Sequence, residues 1–379
     1  MRTRNTEAYF VTLEGNDYLM GRAQAEMVRR SPGWLKFFRS TPDVMTEEQF
    51  KGLVSLFDRF CPGLSEEIQG MADGIEIPAR RVMFYLATYL TAGHCSQFAV
   101  LPQATADGHM LVGRSYEFGD QQEDFRLTLT RPRGRYAHIS NSALLFGRYD
   151  GFNEKGLSVT MSAGGIPVGK FEGARAPVQD GFQFWALVRS ALENCATVEE
   201  AVALCKEMPM AGNPILIFAD KNGNAARAEI FGPQVKVTRA GMDDSRGWII
   251  ATNHYHDAEM LKLQGYVMGN SPVRETTIER FLAGRAPKVT REDLRELLST
   301  PYPQGLTCHY YDEFFGTLRS MIIDLTAGEL EMCFGTPQAN RWHKFDLVNA
   351  PPLASYGVNL PLEKADASFW APAQIPVEG

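Results

Sequence analysis

The hydrophobic period of this chain changes at residue 94. Before that point, D-Y-L-M-G-R-A-Q-A-E-M-V-R-R (17–30), T-E-E-Q-F-K-G-L-V-S-L-F-D-R-F (46–60) and L-S-E-E-I-Q-G-M-A-D-G-I (64–75) carry apolar residues three and four apart, the spacing of one helix face. Thr46 with Gln49 has the spacing of a capping box, and Ser65 with Gln69 reads as a second helix start. A further helix is expected around 79–91, which delivers the chain to Gly93-His94-Cys95. From Cys95 the texture becomes that of strands, expected at 95–101, 109–116, 125–131, 136–146 and 156–163. Ala106-Asp107-Gly108 and Asn153-Glu154-Lys155-Gly156 supply the turns.

Two helical patterns follow at 182–192 and 197–206, then a hairpin within 214–231 centred on Lys-Asn-Gly-Asn. W-I-I-A-T-N-H-Y (248–255) reads as a strand ending in polar residues. Helices near 273–283 and 290–299 precede a last hairpin at 320–334, and the Pro-rich end after 350 reads as a wrapping or loose tail. Strands, then helices, then strands predict an α+β fold of two antiparallel sheets with helices outside. With no internal repeat or low-complexity linker, the division expected is a helical N-terminal segment, 1–94, and a core, 95–379.

Composition narrows the function classes. The 379 residues are 44% hydrophobic and 22% charged, enough for a large core. A formal net charge of −7 argues against a nucleic-acid or anionic-membrane partner. No apolar run of about 18 residues predicts a membrane span, and M-R-T-R-N-T-E-A-Y-F has no apolar core for a signal peptide. Six cysteines (61, 95, 195, 205, 308, 333) without C-x-x-C spacing fit reduced thiols better than a disulfide framework or a zinc site. A cytoplasmic protein is expected. Apart from Cys95, the cysteines read as small buried hydrophobes.

Cys95 stands where a strand begins, Arg114 and Glu117 lie on the next strand or its exit, and Asn253 ends a later one. Each alone has an ordinary reading: a core thiol, an ion pair, a turn residue. Together they are a nucleophile, a cation, a carboxylate and an amide, the parts of an acyl-transfer site.

Further motifs carry a resemblance. These are Y-L-M-G-R-A-Q-A, C-P-G-L-S-E-E-I-Q-G-M-A-D-G, G-H-C-S-Q-F, G-R-S-Y-E-F, D-G-F-N-E-K-G-L-S-V, A-T-N-H-Y, N-S-P-V-R and T-L-R-S-M-I-I-D, in that order over nearly the whole chain. The chain resembles the cysteine N-terminal-nucleophile hydrolases of the penicillin (isopenicillin N) acyltransferase, or peptidase C45, family, with choloylglycine hydrolases as relatives. The resemblance implies a four-layer αββα sandwich and a proenzyme that cuts itself between His94 and Cys95. Cys95 would attack the preceding carbonyl, an N-to-S acyl shift would give a thioester, and water would release it. The new α-amine, with an ordinary pKa of about 7.7–8.0, would then act as base for its own thiol.

By the same resemblance, Cys95 Sγ forms the acyl-enzyme, with Arg114 beside the thiol favouring the thiolate. Glu117 accepts a hydrogen bond from the Cys95 amine, Asn253 donates its side-chain amide to the oxyanion, and Arg274 braces the site. The substrate implied is a small linear N-acyl compound or amide, hydrolysed or transferred. An acyl-thioester co-substrate and assembly into a homo-oligomer are compatible with it, and the sulfur nucleophile calls for no metal or organic cofactor. Three departures stand out. Glu117 replaces an Asp, S-A-G-G (162–165) stands where the choloylglycine branch carries an Asn, and His94 replaces a small residue. The missing Asn leaves a second oxyanion donor to the backbone or to another segment.

Three other readings compete. His254-x-His256-Asp257 on a strand would point two imidazoles to one face, and with His309 or a carboxylate could serve a metal-dependent hydrolase. Cys95 with His309 could form a papain-like pair that needs no chain cleavage. An uncleaved chain would be a non-catalytic binding module.

Overall fold

The computed structural model describes residues 2–40, 43, 45–87, 94–169, 173–349, 351 and 353–373. Its first element is a strand, β1 (Arg2–Gly15), so the segment 1–94 is not only helical. Four helices follow: α1 (Asp17–Arg30), α2 (Pro32–Ser40), α3 (Glu47–Phe60) and α4 (Leu64–Ile75). A fifth, α5 (Ala79–Ala87), covers the start of the helix expected at 79–91, and residues 88–91 lie outside the described ones. Thr46 and Gln49 form the capping box that α3 was expected to have. Ser65 does not cap α4, whose N-cap is the left-handed Gly63.

The core continues with β2 (His94–Val100), β3 (Leu111–Phe118), β4 (Arg126–Pro132), β5 (His138–Ala143), β6 (Gly147–Asn153) and β7 (Leu157–Ala163). Then come α6 (Phe184–Asn194), α7 (Val198–Glu207), β8 (Pro214–Asp220), β9 (Ala225–Phe231), β10 (Gln234–Ala240) and β11 (Trp248–Ala251). The last part holds α8 (Ala258–Gln264), α9 (Asn270–Ala283), α10 (Arg291–Ser299), β12 (His309–Tyr310), β13 (Phe315–Asp324), β14 (Glu329–Phe334), β15 (Trp342–Asp346), β16 (Leu353–Leu362) and α11 (Ala367–Trp370). The span 136–146, read as one strand, holds β5 and then the turn 144–146 that leads into β6. The supposed loose tail contains β16.

These strands form two sheets. One runs β10-β9-β8-β7-β6-β5-β4-β1-β16 and the other β11-β2-β3-β13-β14-β15, with β12 on β13. All pairings are antiparallel except β1 with β4, so the first sheet is mixed where purely antiparallel pairing was expected. A polar layer joins the sheets: Gln97 of β2 donates to Ser162 Oγ of β7 and to Ile215 O of β8, both at 2.9 Å. Helices α6 and α7 cover the first sheet, and α9 and α10 the second, which makes the four layers of an αββα sandwich. Among the described residues no helix is long and apolar enough to cross a membrane. The six cysteines are all free and buried.

The leader is built into this sandwich. β1 pairs with β16 on one side and β4 on the other. Helices α1 and α4 touch backbone to backbone: a Cβ on Gly21 would lie 1.9 Å from Glu67 O, and one on Gly70 2.1 Å from Tyr18 O. A buried polar chain then ties the leader to the core. Arg126 of β4 donates to Gln24 of α1 at 3.1 Å, Gln24 donates to Glu67 of α4, and Arg189 of α6 pairs with Glu67 at 2.5 Å.

Candidate active site

Register places Cys95 first. The second residue of β2, it lies opposite Tyr116 of β3, which in turn lies opposite Arg319 of β13. Opposed residues share a face, and here it is the face turned to the other sheet. Arg114, two residues before Tyr116, shares that face. Its Nη2 donates to Cys95 Sγ at 3.3 Å, its Nε to Asp150 Oδ2 of β6, and its Nη1 to Met161 O of β7. Asp150 also accepts from Asn141 Nδ2 at 2.6 Å and lies 3.4 Å from Arg319 Nη2. Arg319 reaches Glu123 at 3.4 Å and lies over the Tyr116 ring, 3.9 Å from its centroid.

This flank is charged and dry, and burial decides the thiol's state. Removing the Cys95 thiol from water pushes its pKa up to about 11, although Arg114 pulls the other way. Arg114 acts in the expected direction, toward the thiolate, but burial outweighs it in the intact chain. At neutral pH the thiol keeps its proton, and attack requires a base.

The backbone of Cys95 is held from another side. Its N–H donates to Asn253 Oδ1 at 3.1 Å, and its carbonyl accepts from Arg274 Nη1 at 2.6 Å. Arg274, fully buried on α9, also donates to Ser96 Oγ at 3.0 Å and, through Nη2, to Asn253 Oδ1 and Asn270 Oδ1, both at 2.8 Å. Asn253 donates its Nδ2 to Ala163 O at 3.0 Å, which uses one of the two N–H bonds of that group.

Glu117 lies opposite His94, the residue on the other side of the expected cut. In the intact chain its Oε1 accepts from Ser115 Oγ and, at 3.3 Å, from Thr317 Oγ1. Its buried Oε2 has no hydrogen-bond partner among the described residues. Burial pushes its carboxyl up to about 7, with Arg274 opposing. In the intact chain the Cys95 amide N–H is bonded to Asn253, and the Glu117 contact expected by resemblance belongs to the amine that only the cut would create. His94 stacks on Phe315 at 4.5 Å, and burial pushes its imidazole down to about 3, so it is neutral at working pH.

The structure brings Cys95, Arg114, Asn253 and Arg274 into direct contact, with Glu117 beside the His94–Cys95 bond. Sequence reasoning missed Asp150 as the anchor of Arg114, although Asp150 stands inside a recognised motif as a carboxylate in an otherwise buried strand. It also missed Ser96, Asn270 and Ser271, the last of which accepts from the Asn253 N–H at 2.8 Å. Of the S-A-G-G backbone amides, that of Gly164 is already bonded to Asn213 O at 2.8 Å.

The competing readings fare differently. Strand β11 ends at Ala251, so His254 and His256 follow it instead of lying on it. Their rings nevertheless converge, on Glu275 and not on His309, and Asp257 is the N-cap of α8. His309 bonds Thr336 and Gln338 through Nε2 and lies 3.3 Å from Glu363 through Nδ1, which gives no papain-like pair with Cys95.

A family model described as acyl-coenzyme A:6-aminopenicillanic acid acyl-transferase matches residues 104–339. No curated protein matches the chain in sequence. Among solved structures, penicillin V acylase from Agrobacterium tumefaciens is similar at 17% identity, covering 67% of this chain and 87% of that one, with a TM-score of 0.45. A variant of conjugated bile acid hydrolase from Clostridium perfringens is similar at 14% identity over 72% of this chain and 100% of that one, TM-score 0.48. The Caenorhabditis elegans ortholog of N-acylethanolamine-hydrolyzing acid amidase is similar at 18% identity over 61% and 93%, TM-score 0.43. With more than half of its residues matched by the family model, the chain belongs to the acyl-coenzyme A:6-aminopenicillanic acid acyl-transferase family.

Proposed function

We propose that this enzyme of amide hydrolysis or acyl transfer works through a Cys95 acyl-enzyme and is made as a proenzyme that cuts itself between His94 and Cys95. One observation carries the reading: side chains from a strand and from a separate loop hold both reactive groups of a single residue, Sγ by Arg114 and N–H by Asn253. A structural thiol needs neither.

In the maturation step the thiol proton passes to a base; Glu117, opposite His94 and with a carboxyl near 7, stands on the other face of the strand from Sγ and would take the proton through an intervening water. Sγ adds to the His94 carbonyl carbon, the C–N bond breaks, and the nitrogen takes a proton to become the Cys95 amine. Water then adds to the thioester, leaving a His94 carboxylate and the free thiol. Asn253 Oδ1, already an acceptor for that nitrogen, keeps the amine in place. In turnover the amine accepts the thiol proton, Sγ attacks the substrate carbonyl, and the protonated leaving amine departs. Water, or a second amine, accepts the acyl group.

The Asn253 amide is the oxyanion donor in this scheme, worth about 2.7–4 kcal/mol in the transition state. Segment 1–94 would remain after the cut as a bound subunit, since β1 is paired on both sides. The substrate class is a small N-acyl compound or amide. Its acyl adduct should be trapped on the fragment that begins at Cys95, by rapid acid quench and peptide mass spectrometry with a panel of N-acyl amides and acyl thioesters. Turnover of any panel member with no adduct on Cys95, undiminished in Cys95→Ala, would sink the reading.

A further inference from the structure

Behind the site lies a second cluster that the acyl-transfer chemistry does not use. His254 Nε2 lies 2.9 Å from Glu275 Oε2, and His256 Nε2 lies 2.7 and 2.8 Å from the two Glu275 oxygens. The three donor atoms are all within 4.8 Å of one another, and the two rings meet at 77°. Two imidazole nitrogens approach one carboxylate from different directions, a set of two N and one O donors that suits a borderline divalent cation such as Zn²⁺.

The outer nitrogens supply an independent argument. His256 Nδ1 is buried without a hydrogen-bond partner among the described residues, and Glu229 Oε1 lies 3.6 Å from it. If His256 carries its proton on Nε2, that Nδ1 turns a lone pair toward a carboxylate. Moving the proton to Nδ1 turns an N–H toward Glu229, which already accepts from the His256 and Asp257 N–H groups and pairs with Arg227, and frees the Nε2 lone pair for a cation shared with Glu275. His254 is prepared in the same way. Its Nδ1 lies 2.8 Å from Ser271 Oγ, which can accept a hydrogen bond from Nδ1–H while Nε2 ligates. Carboxylate and hydroxyl groups behind ligating histidines orient the rings and raise their basicity.

We propose that His254, His256 and Glu275 form a zinc-binding site, with solvent completing the coordination. The site is a clamp and not a second reaction centre. His254 adjoins Asn253 and Glu275 adjoins Arg274, so one ion would fasten together the two segments that hold the Cys95 backbone. Ser271 Oγ, between His254 Nδ1 and the Asn253 N–H, extends the clamp to the site itself.

The test uses the purified full chain, stripped with a chelator and titrated with ZnCl₂ by calorimetry, then with CoCl₂ by visible absorption. Binding of one equivalent is expected, with the intense visible bands of low-coordinate Co²⁺ and a thermal midpoint raised by several degrees. His256→Ala, at a partly exposed position, and Glu275→Gln should each lose that equivalent and the Co²⁺ bands while remaining folded by circular dichroism. Wild-type protein that takes up no zinc overturns the proposal and makes the cluster a purely protonic hydrogen-bond clamp. Undiminished binding in both variants overturns it equally, by placing the ion elsewhere. The outcome is independent of Cys95: an uncut, inactive chain that binds zinc here would leave the site standing, and a self-cleaving chain that binds none would not.

Discussion

The two flanks of Cys95 are built from opposite materials. On the thiol side, Arg114 and Arg319 face Asp150 and Glu123 in a charged, dry layer between the sheets. On the backbone side, neutral amides and hydroxyls (Asn253, Asn270, Ser96, Ser271) gather around the cation Arg274. Charge in a dry layer sets protonation states, because each unit of charge is felt strongly at low dielectric. Neutral amides fix positions with little effect on proton affinity. One flank therefore governs when the thiol reacts, and the other governs where the bond to be broken sits.

Removing a charge from the first flank should have the largest effect. Asp150→Ala leaves Arg114 and Arg319 without their shared buried carboxylate. Breaking a buried pair this way costs about 3–5 kcal/mol. Urea unfolding of the variant in a Cys95→Ala background should show that loss, and a change under about 1 kcal/mol would mean that the charge layer does not hold the sheets together. Asp150→Asn sharpens the contrast by keeping shape and removing charge.

A neutral group on the other flank should matter to chemistry more than to stability. Asn253→Ala is expected to lower kcat about 10²–10³-fold, as for loss of an oxyanion donor, with the unfolding midpoint changed far less than in Asp150→Ala. Equal losses of stability in the two variants would erase the distinction between flanks.

The smallest effect expected is one of pH. Burial raises the Glu117 carboxyl to about 7, so it is protonated below that pH and becomes a base above it. Self-cleavage should therefore quicken as pH rises through about 7, by up to tenfold per unit on the acid side. In Glu117→Gln that step should be slower and flat across the same range. A profile unchanged by the substitution would assign the base elsewhere.

Much of this site was legible in the chain. Cys95 stands at a strand start, Arg114 within a strand, Asn253 just past a strand end and Arg274 in the second turn of a helix, and motif order exposes all four. Asp150 was not legible as a partner, because nothing local in a strand tells which guanidinium of another sheet it meets. The ends of the fold were misread for a related reason. Arg2–Gly15 opens on a mostly polar run, and the alternation of Tyr356, Val358, Leu360 and Leu362 lies in a Pro-rich end; the two segments become strands by pairing with each other across the whole length of the chain. The pull of Arg114 on the thiol was legible, but the burial that outweighs it was not. By contrast, the Thr46 capping box and the α6–α7 pair depend on short-range spacing and appear where expected.

Intact-protein mass spectrometry of the purified wild-type chain beside Cys95→Ala tests the central claim most directly. The account predicts two wild-type fragments, 1–94 and 95–379, that co-purify until denatured, and a single uncut chain in the variant. A wild-type chain that stays whole, with a Cys95 thiol that resists alkylation at neutral pH, would contradict it.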